Sequence, residues 1–125
     1  MGRDLSELEA QIQARLRDSF LVAAQERLDC TTEAFEHFVL EHCDDSFETM
    51  SCAMHDLKGM GASFGFPSIT LVALQVEMVL KSRASGDPAP LQGLRRYFDV
   101  MSDILAKGTD PGVEAVELQL PSLQV

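Results

Sequence analysis

The sequence Met54-His55-Asp56-Leu57-Lys58-Gly59-Met60-Gly61-Ala62-Ser63-Phe64-Gly65-Phe66 lies near the middle of the chain and has the flanks of a helix, yet it contains three glycines. Each glycine inside a helix costs about 0.5–1 kcal/mol relative to alanine. A helix that keeps such residues usually gains the close approach of another backbone. The glycines therefore predict a helix against which other elements, or another protein, pack closely.

This helix has two distinct faces when its residues are placed about 100° apart. Its core side carries the apolar residues Met50, Ala53, Leu57, Met60 and Phe64. His55 points to the opposite side, which it shares with small or polar residues: Glu48, Ser51, Cys52, Lys58, Gly59 and Ala62. Gly59 leaves this outer side open, whereas Gly61 faces the other side and predicts close packing of a neighbouring helix.

Start and stop signals bound the central helix. The capping box Asp45-Ser46-Phe47-Glu48 opens it, and Gly65 followed by Pro67 closes it. Ser68 is placed to cap the next helix. That helix, from residue 69 to about 85, is apolar on nearly all sides and is interrupted by Glu77.

Two apolar stripes precede the central helix. The first comprises Leu5, Leu8, Ile12 and Leu16, and the second comprises Leu21, Ala24, Leu28, Thr31, Phe35 and Phe38. Asp18-Ser19 lies between them and predicts a break or bend. We expect a short N-terminal helix capped by Asp4, a long helix ending near Leu40, and a connection at residues 42–44.

The C-terminal third begins with a turn at residues 84–88. A last long helix follows, marked by Leu91, Leu94, Phe98, Met101 and Leu105 and closed by Lys107-Gly108. Beyond it, Pro111 and Pro121 bracket a short alternating run at residues 116–120. We expect this tail to be extended, loosely packed or disordered.

The short connections favour antiparallel neighbours. They predict an all-α, up-and-down four-helix bundle with an additional N-terminal helix across one end. The bundle domain spans residues 1–108, and residues 109–125 form an irregular C-terminal tail. Since no segment before the tail has the pattern of a strand, an α/β fold is excluded.

Composition limits the classes of function. The chain has 125 residues, enough for one domain with a single core. Its net charge of −10 argues against binding nucleic acid. It contains no apolar run of membrane-spanning length and no signal sequence at its N-terminus, which predicts a cytoplasmic location without membrane association. The three cysteines fit no disulfide framework and are expected to be reduced.

The central motif resembles a known family. His55-Asp56-Leu57-Lys58-Gly59, followed by Gly65, resembles the signature of histidine phosphotransfer (HPt) domains. The segment from Gly61 to Phe66 is similar to the phosphotransfer domain of chemotaxis-type histidine kinases, as is the position of Glu77 on the following helix. The rest of the resemblance, over about residues 16–107, lies in the order and spacing of the helices.

The resemblance implies a role for each site residue. His55 is the phosphoryl acceptor, because a neutral imidazole is a good nucleophile near pH 7. Glu77 holds the second ring nitrogen and orients the imidazole. Lys58, one turn after His55, offsets the charge of the phosphoryl oxygens. For Glu77, an ordinary ion pair with Lys81 is the alternative.

The partners follow from the same resemblance. A receiver domain of a response regulator docks on a surface formed by Ser51, Cys52, Gly59, Ala62, Leu74 and Met78. The donor or acceptor is a receiver aspartate or a sensor or hybrid histidine kinase. The chain needs no cofactor, since Mg²⁺ belongs to the receiver. It has no nucleotide-binding motif, so it is a phosphoryl carrier and not an enzyme with a kinase domain.

Other interpretations remain open at this level. The chain is also compatible with an isolated phosphotransfer domain of a chemotaxis-type kinase, a non-catalytic adaptor that binds a receiver, or a purely structural bundle. A zinc site made from His42, Cys43, Cys52 and His55 matches no usual zinc spacing. We expect a monomer, although the apolar residues Leu71, Leu74 and Met78 permit a dimer.

Overall fold

A computed structural model describes residues 5–41, 44–84 and 92–120, and these form five α-helices. They are α1 (Leu5–Glu41), α2 (Asp44–Ser63), α3 (Pro67–Ala84), α4 (Gln92–Lys107) and α5 (Val113–Gln119). The described residues contain no strand, and the prediction of an all-α helical bundle is confirmed. The predictions for Asp4, for residues 42–43 of the connection and for residues 85–88 of the turn lie outside the described residues. Asp44, which was predicted to belong to the connection, begins α2, and Ala84, predicted to begin the turn, ends α3.

Helix α1 is longer than the sequence pattern suggested. The break predicted at Asp18-Ser19 is absent, and residues 5–41 form one continuous helix. The separate N-terminal helix is therefore corrected to the first turns of α1. The reason is that Leu16, Phe20 and Ala24 follow one another at steps of four, so the two apolar stripes share a face. Burial on α1 starts only at Phe20.

The core lies between α1, α2, α3 and α4. Helix α2 is at its centre and packs extensively on α1 and α3. The core side predicted for α2 is confirmed for Met50, Ala53 and Leu57, which are buried together with Met54. Of the other two residues predicted on this side, Met60 is half-buried and Phe64 is exposed at 37%. At one end of the bundle, the ring of Phe20 stacks on Phe64 and Phe66, with ring centroids 5.3 Å and 5.0 Å apart.

The turn between α2 and α3 explains two of the three glycines. The amide of Phe66 donates to the carbonyl of Gly61 at 2.8 Å and that of Gly65 to Ala62 at 3.4 Å, which together form a Schellman motif. Gly65 has φ of 85°, a conformation that favours glycine. At Gly61, an added Cβ would lie 2.8 Å from the backbone nitrogen of Thr70. The predicted close packing at Gly61 is thus confirmed.

The segment after α4 is ordered around the start of α3. Ser68 was expected to cap α3, but it lies inside the helix, and both its amide and its hydroxyl donate to the carboxylate of Asp110. The extended tail is also wrong for residues 113–119, which form α5. The reason is that Val116 and Leu120 share a helical face; Val116 is buried and Leu120 packs on the core.

Within the described part of the chain, none of the helices combines the length and apolar character needed to cross a membrane.

Candidate functional site

The site is built on the outer side of α2 and the adjoining edge of α3. His55 lies on α2 with 74% of its side chain exposed, whereas Glu77 on α3 has only 8% exposed. The Nδ1 atom of His55 lies 3.4 Å from Oε1 of Glu77. An exposed imidazole therefore has one ring nitrogen directed towards a buried carboxylate.

Glu77 has a second cationic neighbour. Nζ of Lys58 donates a hydrogen bond to its other oxygen, Oε2, at 2.8 Å. Lys58 is half-buried, with 30% of its side chain exposed. In the ion pairs of the described residues, the partners of Glu77 are His55 and Lys58, while Lys81 is exposed and takes no part. The alternative ion pair between Glu77 and Lys81 is thus not observed among the described residues.

Thr70 fixes α3 against the part of α2 that carries the site. Its hydroxyl donates to the carbonyl of Lys58 and accepts from the amide of Ala62, each at 2.8 Å. A regular α-helix pairs these two backbone groups with each other. Thr70 and Glu77 are seven residues apart and lie on the same face of α3. The Thr70 hydroxyl therefore joins α3 to α2 two turns before Glu77.

Asp56, the residue next to His55, faces away from this contact. Its carboxylate accepts a hydrogen bond from Nε of Arg27 on α1 at 3.4 Å. Both side chains are substantially exposed, so the pair adds little to stability. Its effect is to keep the Asp56 carboxylate on the α1 side, away from the carboxylate that contacts His55.

The residues predicted to surround His55 reach the surface. Cys52, Gly59 and Ala62 are exposed on α2, and Ser51 is half-buried. On α3, Leu74 and Met78 are exposed apolar residues that flank Glu77 in sequence. A Cβ added to Gly59 would find nothing within 4 Å. The structure thus leaves an open surface with small side chains and an apolar margin.

The contacts of Thr70 and Arg27 were not predicted from the sequence. The signal available for Thr70 was its position seven residues before Glu77, which places both residues on one face of a helix. No local pattern indicates Arg27, which belongs to another helix. The described residues contain no group of three or more His, Cys, Asp or Glu side chains arranged to hold a metal ion.

The arrangement permits nucleophilic chemistry at one ring nitrogen. When the proton is on Nδ1, the carboxylate of Glu77 stabilises that tautomer and orients the ring. The lone pair is then on Nε2, which belongs to a largely exposed side chain. Lys58 supplies a positive charge one turn along the same helix. An oriented ring nitrogen with a cation beside it can act as the nucleophile towards an electrophile that carries negative charge.

Comparison with known proteins identifies a family for most of the chain. The family model described as Hpt domain matches residues 15–106. This range contains His55, Lys58, Thr70 and Glu77. No curated protein matches the chain, and no solved structure does.

Proposed function

Because the chain belongs to the Hpt domain family, we propose that it carries a phosphoryl group on His55 between the proteins of a two-component phosphorelay. The donor is a histidine kinase, sensor or hybrid, or the aspartyl phosphate of a receiver domain, and the acceptor is another receiver. The observation that carries this proposal is the exposed imidazole of His55 held 3.4 Å from the buried carboxylate of Glu77.

The transfer step uses Nε2 of His55. Its lone pair attacks the phosphorus of the receiver's aspartyl phosphate, and the bond from phosphorus to the carboxylate oxygen breaks. The electron pair of that bond returns to the aspartate, while Nδ1 keeps its proton against Glu77. Transfer of this kind depends on position and on neutralisation of charge. The receiver supplies the Mg²⁺, and this chain supplies the oriented ring.

Lys58 has two roles in the proposal. In the free protein its ammonium neutralises Glu77 at 2.8 Å. In the phosphorylated protein it also offsets the charge of the phosphoryl oxygens, since its side chain is only half-buried and lies one turn from His55. A cation shared between a buried carboxylate and a new anion lowers the electrostatic cost of placing both in one site.

The docking surface is formed by Ser51, Cys52, Gly59, Ala62, Leu74 and Met78. Gly59 keeps the approach to the ring free of side chains. Leu74 and Met78 offer apolar contact beside the site, which matches the mixed composition of transient interfaces. Receiver domains in the cytoplasm are the partners that fit this surface.

Phosphotransfer from a panel of phosphorylated receivers and active histidine kinases tests the proposal. The chain should acquire an acid-labile, alkali-stable label, and His55→Gln should abolish it. His37→Gln is the matched control, because His37 is an exposed histidine on α1.

The absence of label with every donor would refute the proposal that the chain is a phosphoryl carrier. If receivers nevertheless bound the unlabelled chain, the protein would be a non-catalytic adaptor. A chain labelled only by a chemotaxis-type catalytic domain would be a phosphotransfer domain of such a kinase.

A further inference from the structure

The segment that follows α4 packs on the bundle and contacts the start of α3. We call residues 109–120, which include α5, the strap. The range matched by the family model ends at residue 106, so the strap lies beyond it. Val116 is fully buried, Leu120 packs on the core, and Nε of Arg96 on α4 donates to the carbonyl of Gln119 at 3.1 Å. The strap is therefore a packed part of the fold.

The carboxylate of Asp110 fastens the strap to α3. Its Oδ2 atom accepts from the amide of Ser68 at 2.9 Å. Its Oδ1 atom accepts from the hydroxyl of Ser68 at 2.5 Å and from the amide of Gly112 at 2.7 Å. Ser68 is fully buried, and a buried amide that loses its acceptor is costly. The contact with Asp110 therefore stabilises the first turn of α3.

This contact is a helix N-cap supplied from a distant part of the chain. An N-cap side chain normally belongs to the residue before the helix and accepts from one of the first amides. Phe66 precedes α3 and has no polar side chain, and the first residue, Pro67, has no N–H. The first amide of α3 is thus that of Ser68. Asp110 caps it from 42 residues away, and the helix dipole favours a carboxylate at this end.

The capped turn also makes the contact between α3 and the helix that carries the site. Thr70 belongs to this turn, and its hydroxyl donates to the carbonyl of Lys58 and accepts from the amide of Ala62. The two backbones are close here, since a Cβ added to Gly61 would lie 2.8 Å from the amide nitrogen of Thr70. The first turn of α3 is thus held by the strap through one residue and by α2 through another.

We propose that Asp110 is a positioning residue for phosphoryl transfer and acts through Thr70. The inference rests on the proposed function, since it gives the strap a part in that reaction. Loss of the cap allows the first turn of α3 to fray, because the buried amide of Ser68 must then find its partner in water. In the frayed state the hydroxyl of Thr70 no longer joins Lys58 to Ala62, and the turn of α2 that bears the cation of the site loses its tie to α3.

Native-state amide hydrogen exchange of the full chain tests the cap without any partner protein. In Asp110→Ala the amides of Ile69 and Thr70 should exchange about fivefold faster or more, which is the size of a typical lost cap. Asp110→Asn should act in the same direction, because each carboxylate oxygen accepts from a backbone N–H and an amide group offers only one such oxygen. Unchanged exchange in Asp110→Ala would overturn the cap.

Transfer kinetics test the link between the cap and the site. Single-turnover transfer from a phosphorylated receiver should be slower in Asp110→Ala, by up to about fivefold. In a chain that already carries Thr70→Val, the same substitution should cause no further slowing, since two residues that act through one contact are not additive. An equal slowing in both backgrounds, or no slowing in the wild-type background, would overturn the positioning role.

Ala34→Gly is the matched control for a general loss of stability. A glycine inside α1 weakens the helix by an amount similar to a lost cap. Position 34 lies about 21 Å along α1 from Phe20 at 1.5 Å per residue, and the ring of Phe20 stacks on Phe66 beside the start of α3. Ala34→Gly should therefore leave the transfer rate and the exchange of Ile69 unchanged, and slowing equal to that of Asp110→Ala would overturn the proposal.

The two measurements separate this inference from the proposed function. If no donor labels the wild type, the proposed function fails and the positioning role falls with it, whereas hydrogen exchange still decides the cap. If the wild type is labelled on His55 and Asp110→Ala alters neither exchange nor transfer, the proposed function stands and this inference is wrong.

Discussion

Replacing Glu77 probes the contact on which the site depends. We predict that Glu77→Ala slows phosphoryl transfer to His55 about tenfold to 100-fold, and that Glu77→Gln slows it about tenfold. The carboxylate of Glu77 contacts His55 at 3.4 Å and Lys58 at 2.8 Å. Its removal frees the ring to change tautomer and to rotate out of the orientation needed for attack.

The magnitudes follow from the partners of the carboxylate. An interaction with a charged group contributes about 1.5–3 kcal/mol, and a neutral hydrogen bond contributes about 0.5–1.5 kcal/mol. Since each 1.36 kcal/mol corresponds to about a factor of ten in rate, loss of the whole contact gives the range for Glu77→Ala. In Glu77→Gln the amide oxygen still accepts from Nδ1, so only the difference between the two kinds of contact, about 1–1.5 kcal/mol, is lost.

The loss of stability should be small enough to leave the protein folded. The side chain of Glu77 is 8% exposed, so its replacement also removes the cost of burying a carboxylate. We expect the free energy of unfolding to change by less than about 2 kcal/mol, since burial and pairing of the ion largely offset each other. A variant that is slow and still folded would separate the chemical role of Glu77 from a structural one.

The assay is single-turnover transfer from a phosphorylated receiver, with urea unfolding of each variant in parallel. Glu33→Gln is the matched control, because Glu33 is an exposed glutamate on α1 and the substitution changes the net charge equally. Equal transfer rates for Glu77→Ala and the wild type would refute the orienting role of Glu77.

Three other positions give predictions of defined sign. Gly61→Ala should lower the free energy of unfolding by about 1–3 kcal/mol in urea, because its Cβ would lie 2.8 Å from backbone atoms of Phe66 and Thr70; an unchanged value would contradict the close packing. Gly59→Ala should raise that free energy by about 0.5–1 kcal/mol and yet slow transfer, since its methyl group would stand on the proposed docking surface; undiminished transfer would place the partner elsewhere. Thr70→Val should slow transfer and Thr70→Ser should retain the wild-type rate, because the hydroxyl joins Lys58 to Ala62; equal rates in both would remove Thr70 as a positioning residue.

Local sequence patterns were sufficient for the central helix. The spacing of Met50, Ala53 and Leu57 located its buried face, and the same periodicity placed His55 outside. The roles of Gly61 and Gly65 could be predicted because each depends on backbone geometry near its own position. The pairing of His55 with Glu77 was predicted from the resemblance to HPt domains, which have a glutamate at this position of the next helix.

Three predictions from the sequence were wrong because packing between elements outweighs the local sequence pattern. The break at Asp18-Ser19 was predicted from two weak helix formers, but the continuous face through Leu16 and Phe20 outweighs their propensity. The alternation at residues 116–120 resembled a strand, although Val116 and Leu120 also satisfy the helical period and pack on the core. Asp110 and Ser68 are far apart in sequence, so their contact depends on tertiary structure that no local pattern describes.

The central claim is that Nε2 of His55 carries the phosphoryl group while Glu77 holds the proton on Nδ1. The most direct measurement is ³¹P NMR of the chain after transfer from its receiver, with the modified residue located by mass spectrometry. We predict a single phosphohistidine, at His55, substituted on Nε2. Phosphate on Nδ1 of His55, or on any other residue, would contradict it.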